Sequence, residues 1–200
     1  STVNNHTMVS INGIRDRLRV LLVSGEPHVG ERAWRNLLKS DPNVDLVHFT
    51  ILRPLTKDDG TPLNELSPIA FPIRELFEER LKDFDLVIFD RYSRRGLVPF
   101  QFMSNVANYV RDGGAMMLAV GPEYSDNFSL YDSPLHDVLP AAPTGQINTD
   151  PFNPRVSQLG ARHPVTADLA GVVANDSKEN GWGRWLRQVG VTNTRGATVM

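Results

Sequence analysis

The sequence predicts an α/β domain built on a doubly wound parallel sheet with helices on both faces. Short apolar runs rich in β-branched residues alternate with segments whose apolar residues recur at helical spacing, as far as residue 121. This alternation is typical of βαβ units, whose crossover helices cover a parallel sheet. The 200 residues suit one compact domain, and 40% hydrophobic and 22% charged residues are ordinary for a globular protein.

The first part of the chain supplies two strands, a helix and a long loop. The predicted elements are a buried strand over 19–24, a helix over 31–39, a strand over 44–50 and a loop over 53–72 that holds four prolines. In the helix, Trp34, Leu37 and Leu38 fall at helical spacing, and Asp41-Pro42 ends it. A loop as long as 53–72 inside a compact domain is often functional or mobile.

The next part supplies two further helix and strand pairs. They are a helix over 73–82 with Leu76, Phe77 and Leu81 inward, a strand over 85–90, a helix over 98–111 with Phe102, Val106 and Val110 on one face, and a strand over 115–120. The last of these strands is apolar on both sides, which predicts a central place in the sheet. Residues 122–183 read as loops at the strand ends, and one late strand is predicted near Ala197.

Polar residues follow three of the predicted strands. In open α/β sheets ligands bind outside the carboxyl ends of the strands, so Glu26, His28, Arg91, Tyr92 and Glu123 are the candidate ligand-binding residues. A glutamate, a histidine and an arginine around one crevice could transfer protons or hold an anion. The simpler interpretation, which we favour, is that Glu26 caps a helix, His28 satisfies a turn and Arg91 pairs with a nearby carboxylate, since strand-end loops need polar residues anyway.

Composition and motifs exclude several classes of function. The chain has no cysteine, so disulfides, thiolate metal sites and cysteine nucleophiles are excluded. The net charge of -2 gives no electrostatic case for binding nucleic acid. The five histidines are scattered without metal-ligand spacing, and the chain lacks a glycine-rich phosphate loop, so we predict neither a metal nor a cofactor. No apolar run approaches the roughly 20 residues of a membrane span.

Several segments together resemble a known group. Residues 19–42, with a strand, Gly-Glu-Pro-His, a tryptophan-bearing helix and Asp-Pro, resemble the opening of the class I glutamine amidotransferase-like domains of bacterial membrane proteins. Further matching segments lie at 109–115, 121–124, 133–140, 163–166 and 182–185. The resemblance implies a flavodoxin-like sheet and a parent chain that carries transmembrane helices outside this fragment. We expect the amidotransferase-like domain to span 18–200 after a flexible segment over 1–17. It leaves open on which side of the membrane the domain lies.

The resemblance also directs attention to Gly121. Amidotransferases of this class use a cysteine at the elbow after the fourth strand, with a downstream histidine and glutamate. Gly121 stands at that elbow, and His163 lacks the usual His-x-Glu pattern. Because Pro122 follows, we expect Gly121 to adopt a backbone conformation that is costly for other residues.

We therefore expect a non-catalytic domain that senses a small molecule or binds a protein as part of a bacterial membrane protein. The main alternative is a hydrolase of altered chemistry that uses Glu26, Glu123 and a histidine, for which His163 is the candidate. A third possibility is a purely structural oligomerisation domain.

Overall fold

The computed structural model describes residues 17–25, 27–50, 72–94, 98–169, 183–194 and 196–200. The predicted N-terminal segment, apart from Arg17, lies outside these residues, as do Glu26 and nearly all of the proline-rich loop over 53–72. The strands are β1 (Leu18–Ser24), β2 (Val44–Thr50), β3 (Leu86–Asp90), β4 (Ala115–Ala119), β5 (Ala141–Asn148) and β6 (Gln188–Asn193). The α-helices are α1 (Val29–Ser40) and α2 (Phe100–Arg111), and a π-helical turn (Glu75–Glu79) and a 3-10 turn (Leu81–Asp83) occupy the predicted helix over 73–82.

β1 to β4 form one parallel sheet in the order β2-β1-β3-β4, so the protein is an α/β protein. Successive side chains of a strand point to opposite faces, and each face of this sheet carries its own apolar cluster. On one face Val20, Leu22 and Ile88 pack with Trp34 and Leu38 of α1. The other face, which includes Leu21, Val23 and Phe89, packs beneath α2 and forms the larger core.

The helical segments bury most of the predicted residues. Leu76, Phe77 and Leu81 are buried as predicted, and Val106 lies in the core with Phe102 and Val110 partly buried beside it. In α1, Leu37 shares the helical spacing of Trp34 and Leu38 but is 63% exposed. Trp34 and Leu38 are four residues apart and share the face that meets the sheet, which turns Leu37 toward solvent.

The prediction that the fourth strand is central is wrong. β4 lies at the edge of the described sheet, and its residue Met117 is 41% exposed. Apolar residues on both sides of a strand favour double burial, but they are equally compatible with an edge strand that no charged residue protects. The exposed apolar edge of β4 is therefore a feature that requires its own explanation.

The region after residue 121 also differs from the prediction. β5 lies within the segment interpreted as loops, and it pairs in antiparallel fashion with β6, whereas residues near Ala197 form no strand. β5 contains Pro143 and Gly145, and its register shifts between Pro143 and Ile147. Both residues are unfavourable in strands, so the local sequence does not predict a strand here. Pairing with β6 stabilises it. None of the helices in the described residues has both the length and the apolar composition that a membrane span needs.

Candidate functional site

The carboxyl ends of β1, β3 and β4 are connected by main-chain hydrogen bonds. The Gly25 N–H donates to the Asp90 carbonyl (2.9 Å), and the Arg91 N–H donates to the Ala119 carbonyl (2.8 Å). Arg91 has a left-handed backbone (φ 46°), which is uncommon for a residue with a side chain. A Cβ atom on Gly25 would lie 2.1 Å from the Arg91 carbonyl oxygen, so the β1–β3 junction accommodates only glycine at position 25.

His28 joins the start of α1 to the end of β3. It is the N-cap of α1, and its Nδ1 atom accepts a hydrogen bond from the Gly30 N–H (3.1 Å). Its Nε2 atom lies 2.7 Å from Oδ2 of Asp90, whose side chain is almost fully buried. The tautomer with its proton on Nε2 satisfies both contacts. Both ring nitrogens are therefore engaged, and His28 caps the helix and holds it against the sheet, whereas the simpler interpretation assigned the cap to Glu26 and only a turn to His28.

A second polar cluster, which the sequence reasoning missed, lies between α1, β1 and β2. Nε2 of His48 is 3.3 Å from Oγ of Ser24, 3.3 Å from Oγ1 of Thr50 and 3.5 Å from Oε1 of Glu31. Burial lowers the pKa of His48, against the opposing effect of Glu31. The feature that could have identified this cluster is the parallel register of β1 and β2, which aligns Leu22 with His48 and Ser24 with Thr50.

This cluster contains serine, histidine and glutamate, the residue types of a catalytic triad, but its geometry differs from one. In a triad the acid contacts one ring nitrogen and the nucleophile contacts the other. Here Ser24, Thr50 and Glu31 all contact the same ring nitrogen of His48, Nε2, and Ser24 is fully buried. The cluster therefore satisfies buried polar groups and does not present a nucleophile.

At the end of β4, Arg91 and Glu123 enclose Gly121. Nη2 of Arg91 is 3.4 Å from Oε2 of Glu123, and the Gly121 N–H donates to Oε1 of Glu123 (2.6 Å). A Cβ atom on Gly121 would lie 2.6 Å from Oε2 of Glu123 and 2.8 Å from Nε of Arg91. The expectation of a costly backbone at Gly121 is wrong, since its φ of -125° and ψ of -162° are ordinary extended values. Glycine fits there because the ends of two side chains occupy the space that a side chain at position 121 would fill.

The remaining candidates lie elsewhere. Tyr92 is buried, its ring packs edge-on against Phe89 at 5.4 Å, and burial raises its pKa. His163 lies in a turn, where its Nδ1 atom accepts a hydrogen bond from the Val165 N–H (3.3 Å). Thus the structure pairs Arg91 with Glu123 and His28 with Asp90, while Tyr92 belongs to the core. Glu26 lies outside the described residues.

A large groove, here called the β4 groove, lies between the edge strand β4 and the β5–β6 ribbon, and its volume is about 950 Å³. Apolar side chains of β4, β6 and the preceding segment line it, among them Met116, Leu118, Val189 and Trp185. Three arginines also line it: Arg91, Arg155 and Arg187. A concave, largely apolar surface with a few charged groups is typical of a binding site.

Tyr124 connects the β4 groove to the Gly121 turn. Its hydroxyl donates to the Ala141 carbonyl at the start of β5 (2.5 Å), and its ring is buried. Burial raises the pKa of Tyr124 to about 12, so the hydroxyl remains protonated and able to donate near neutral pH. The turn after β4 and the ribbon that forms the opposite wall are thus held together.

Comparison of the chain with protein families, with curated proteins and with solved structures finds no match. Within the described ranges, no group of three or more histidine, aspartate or glutamate side chains is arranged to hold a metal ion. The geometry of the site is therefore the basis for a functional proposal.

Proposed function

We propose that this chain is a non-catalytic class I glutamine amidotransferase-like domain with a flavodoxin-like sheet, and that it acts as a binding module of a bacterial membrane protein. The strand order β2-β1-β3-β4 reproduces the first four strands of the flavodoxin-like order 2-1-3-4-5. The segments that resemble amidotransferase-like domains of bacterial membrane proteins support the membrane association of the parent protein.

The observation that carries the proposal is the filled space behind Gly121. A nucleophile at this turn would need a side chain, and its first carbon atom would overlap the Arg91–Glu123 pair. The same pair uses Oε1 of Glu123 to accept the Gly121 N–H. An oxyanion hole requires free N–H donors near the nucleophile, so this hydrogen bond also removes a donor from the place where catalysis would need one.

The β4 groove supports a binding role. Its volume of about 950 Å³ falls within the range of ligand sites, and it lies beside the carboxyl end of β4. Large apolar side chains that line it are exposed, including Trp185 (50%), which precedes β6, and Val191 (43%) of β6. Exposed apolar groups gathered around a concavity mark interaction sites more often than scattered ones do.

The alternative of an altered hydrolase receives no support from a specific contact. Both carboxylate oxygens of Glu123 are engaged, one with Gly121 and one with Arg91. Among the described residues, no hydrogen bond or ion pair joins Glu123 to a histidine. An acid and a base that act on one substrate need to lie within hydrogen-bonding reach of it.

The test uses the absence of cysteine in the chain, because Gly121→Cys then introduces a single thiol. We expect no ammonia release from glutamine by the native domain or by Gly121→Cys, and no labelling of the variant by a thiol-directed glutamine analogue. The double variant Gly121→Cys/Glu123→Ala removes the Glu123 side chain and so opens space for the thiol at position 121. We expect it to be inactive as well.

Asp126→Cys is the matched control, since this exposed position follows the same turn. It should react with a general thiol reagent and not with the glutamine analogue. Circular dichroism establishes that each variant is folded. Efficient turnover by either Gly121 variant would mean that a base and an oxyanion hole survive, and it would overturn the non-catalytic proposal.

A further inference from the structure

Among the described residues, no strand pairs with the edge of β4 that lies beside the β4 groove. In the described part of the chain, β4 pairs with β3 alone. The Ala119 carbonyl accepts from the Arg91 N–H, so the main-chain groups of Ala119, and by alternation those of Met117, turn toward β3. The N–H and C=O groups of Met116 and Leu118 therefore turn away from the sheet. The side chains of these same two residues line the groove.

Within β4 itself, the sequence and the pairing with β3 lack the features by which proteins usually block an edge strand. β4 has the sequence Ala-Met-Met-Leu-Ala, without a charge, a proline or a bulge. Natural edge strands are commonly blocked by such features because an open edge pairs with other chains. An apolar, unblocked edge beside a groove is the arrangement that proteins use to bind an extended peptide as an added strand.

The charges of the groove indicate the chemistry of the partner. Arg155 and Arg187 are exposed, and neither has a carboxylate within salt-bridge distance among the residues that the structure describes. Acidic side chains would satisfy both. A second copy of this chain would bring another set of the same arginines to the groove, which favours a different partner that carries acidic residues.

We propose that the β4 groove binds an extended segment of another protein, which adds to β4 as a strand, places alternate apolar side chains in the groove and pairs acidic residues with Arg155 and Arg187. This inference rests on the proposed function as a binding module. A small ligand would not satisfy the alternating donors and acceptors along β4, whereas an extended backbone does.

The first experiment selects peptides from a random linear library displayed on phage, with the purified native domain as the target. We expect the enriched peptides to alternate apolar residues and to carry acidic residues. Arg155→Glu/Arg187→Glu should weaken the binding of a synthetic enriched peptide at least about tenfold, since it reverses both charges. Arg162→Glu, at an exposed position outside the groove, is the matched control and should change binding less than about twofold.

The second experiment measures amide hydrogen exchange by NMR with that peptide bound. The amides of Met116 and Leu118 should exchange at least about tenfold more slowly in the complex, whereas the Met117 amide, already turned toward β3, should change much less. Failure to enrich peptides, enriched peptides that bind the double variant as well as the native domain, or exchange without this alternation would each overturn the inference. Concentration-dependent dimerisation that protects Met116 and Leu118 without peptide would overturn it in favour of a second copy. None of these outcomes bears on the glutamine assays, so the two proposals fail separately.

Discussion

Two glycines follow strands at the carboxyl edge of the sheet, and each lacks room for a side chain for a different reason. Behind Gly25 lies main chain, namely the carbonyl group of Arg91 and the Cα atom of Tyr92. Behind Gly121 lie the ends of two flexible side chains, those of Arg91 and Glu123. Both junctions involve Arg91, which presents its backbone to one glycine and its side chain to the other.

The difference separates a requirement of the fold from a feature that mutation can remove. Main chain that is fixed by strand pairing cannot move aside, so Gly25 is necessary for β1 and β3 to meet. Side-chain ends can rotate away at the cost of their hydrogen bonds, so the space at Gly121 depends on the Arg91–Glu123 pair. The first glycine therefore belongs to the architecture, whereas the second lies at the turn where, under the proposed function, glutamine amidotransferases would carry their nucleophile.

The largest effect is expected for Gly25→Ala. The new methyl group would overlap the Arg91 carbonyl, and relief requires that β1 and β3 separate. We expect the free energy of unfolding to fall by about 3 kcal/mol or more, measured by urea denaturation. Gly183→Ala, where the new Cβ would meet no atom of the described residues, is the control and should be nearly neutral. A small effect at Gly25 would show that the main chain at Arg91 and Tyr92 can move aside.

Gly121→Ala should cost less, about 1–2 kcal/mol, because the displaced groups are side-chain ends that lose a charge-assisted hydrogen bond. The cost should shrink in a Glu123→Ala background, where the space is already open. A double-mutant cycle by urea denaturation measures this coupling. If the cost of Gly121→Ala is the same in both backgrounds, the pair does not determine the need for glycine.

The backbone of Arg91 provides the third test. Arg91→Gly and Arg91→Ala both remove the guanidinium group, but only glycine adopts a φ of 46° without steric cost. We expect Arg91→Gly to be more stable than Arg91→Ala by about 1 kcal/mol, after the greater freedom of glycine in the unfolded chain is included. Equal stability of the two variants would mean that the left-handed conformation carries no strain.

The sequence predicted the sheet better than it predicted the site. The apolar runs over 19–24 and 85–90 yielded strands close to their true bounds, because buried parallel strands are continuous in composition, and the mixed segment 44–50 also formed a strand at its predicted bounds. The position of β4 at the edge could not be read from its composition, since an unblocked edge looks like a buried strand. β5 was missed because Pro143 and Gly145 conceal a strand that depends on its partner β6.

The contacts of the site depend on geometry that no local pattern contains. The simpler interpretation correctly gave Arg91 a carboxylate partner. It assigned the helix cap to Glu26 and only a turn to His28, and it could not identify Asp90 or Glu123 as the partners. The expectation at Gly121 identified a position where glycine matters, but it gave the wrong reason. The following proline predicted backbone strain, whereas two side chains occupy the space beside Gly121. Prediction of the His48 cluster would have required knowledge of the register between β1 and β2.

The smallest effect concerns His48, which contacts Ser24, the residue before Gly25. Burial lowers the pKa of His48 below its usual 6.5, so the unfolded chain binds this proton more readily than the folded protein does. This contribution to stability is complete above the unfolded pKa and is lost as the pH falls through 6.5 toward the folded value. The free energy of unfolding, followed by urea denaturation from about pH 8 to about pH 5.5, should therefore fall more steeply for the native protein than for His48→Gln.

Because burial is the largest cause, most of the difference should persist when salt screens the charges of Arg35 and Lys39. Parallel curves, or a difference that salt abolishes, would mean that the polar cluster beside Gly25 is more hydrated than its buried position suggests, and would weaken the contrast between a rigid β1 junction and an adjustable β4 junction.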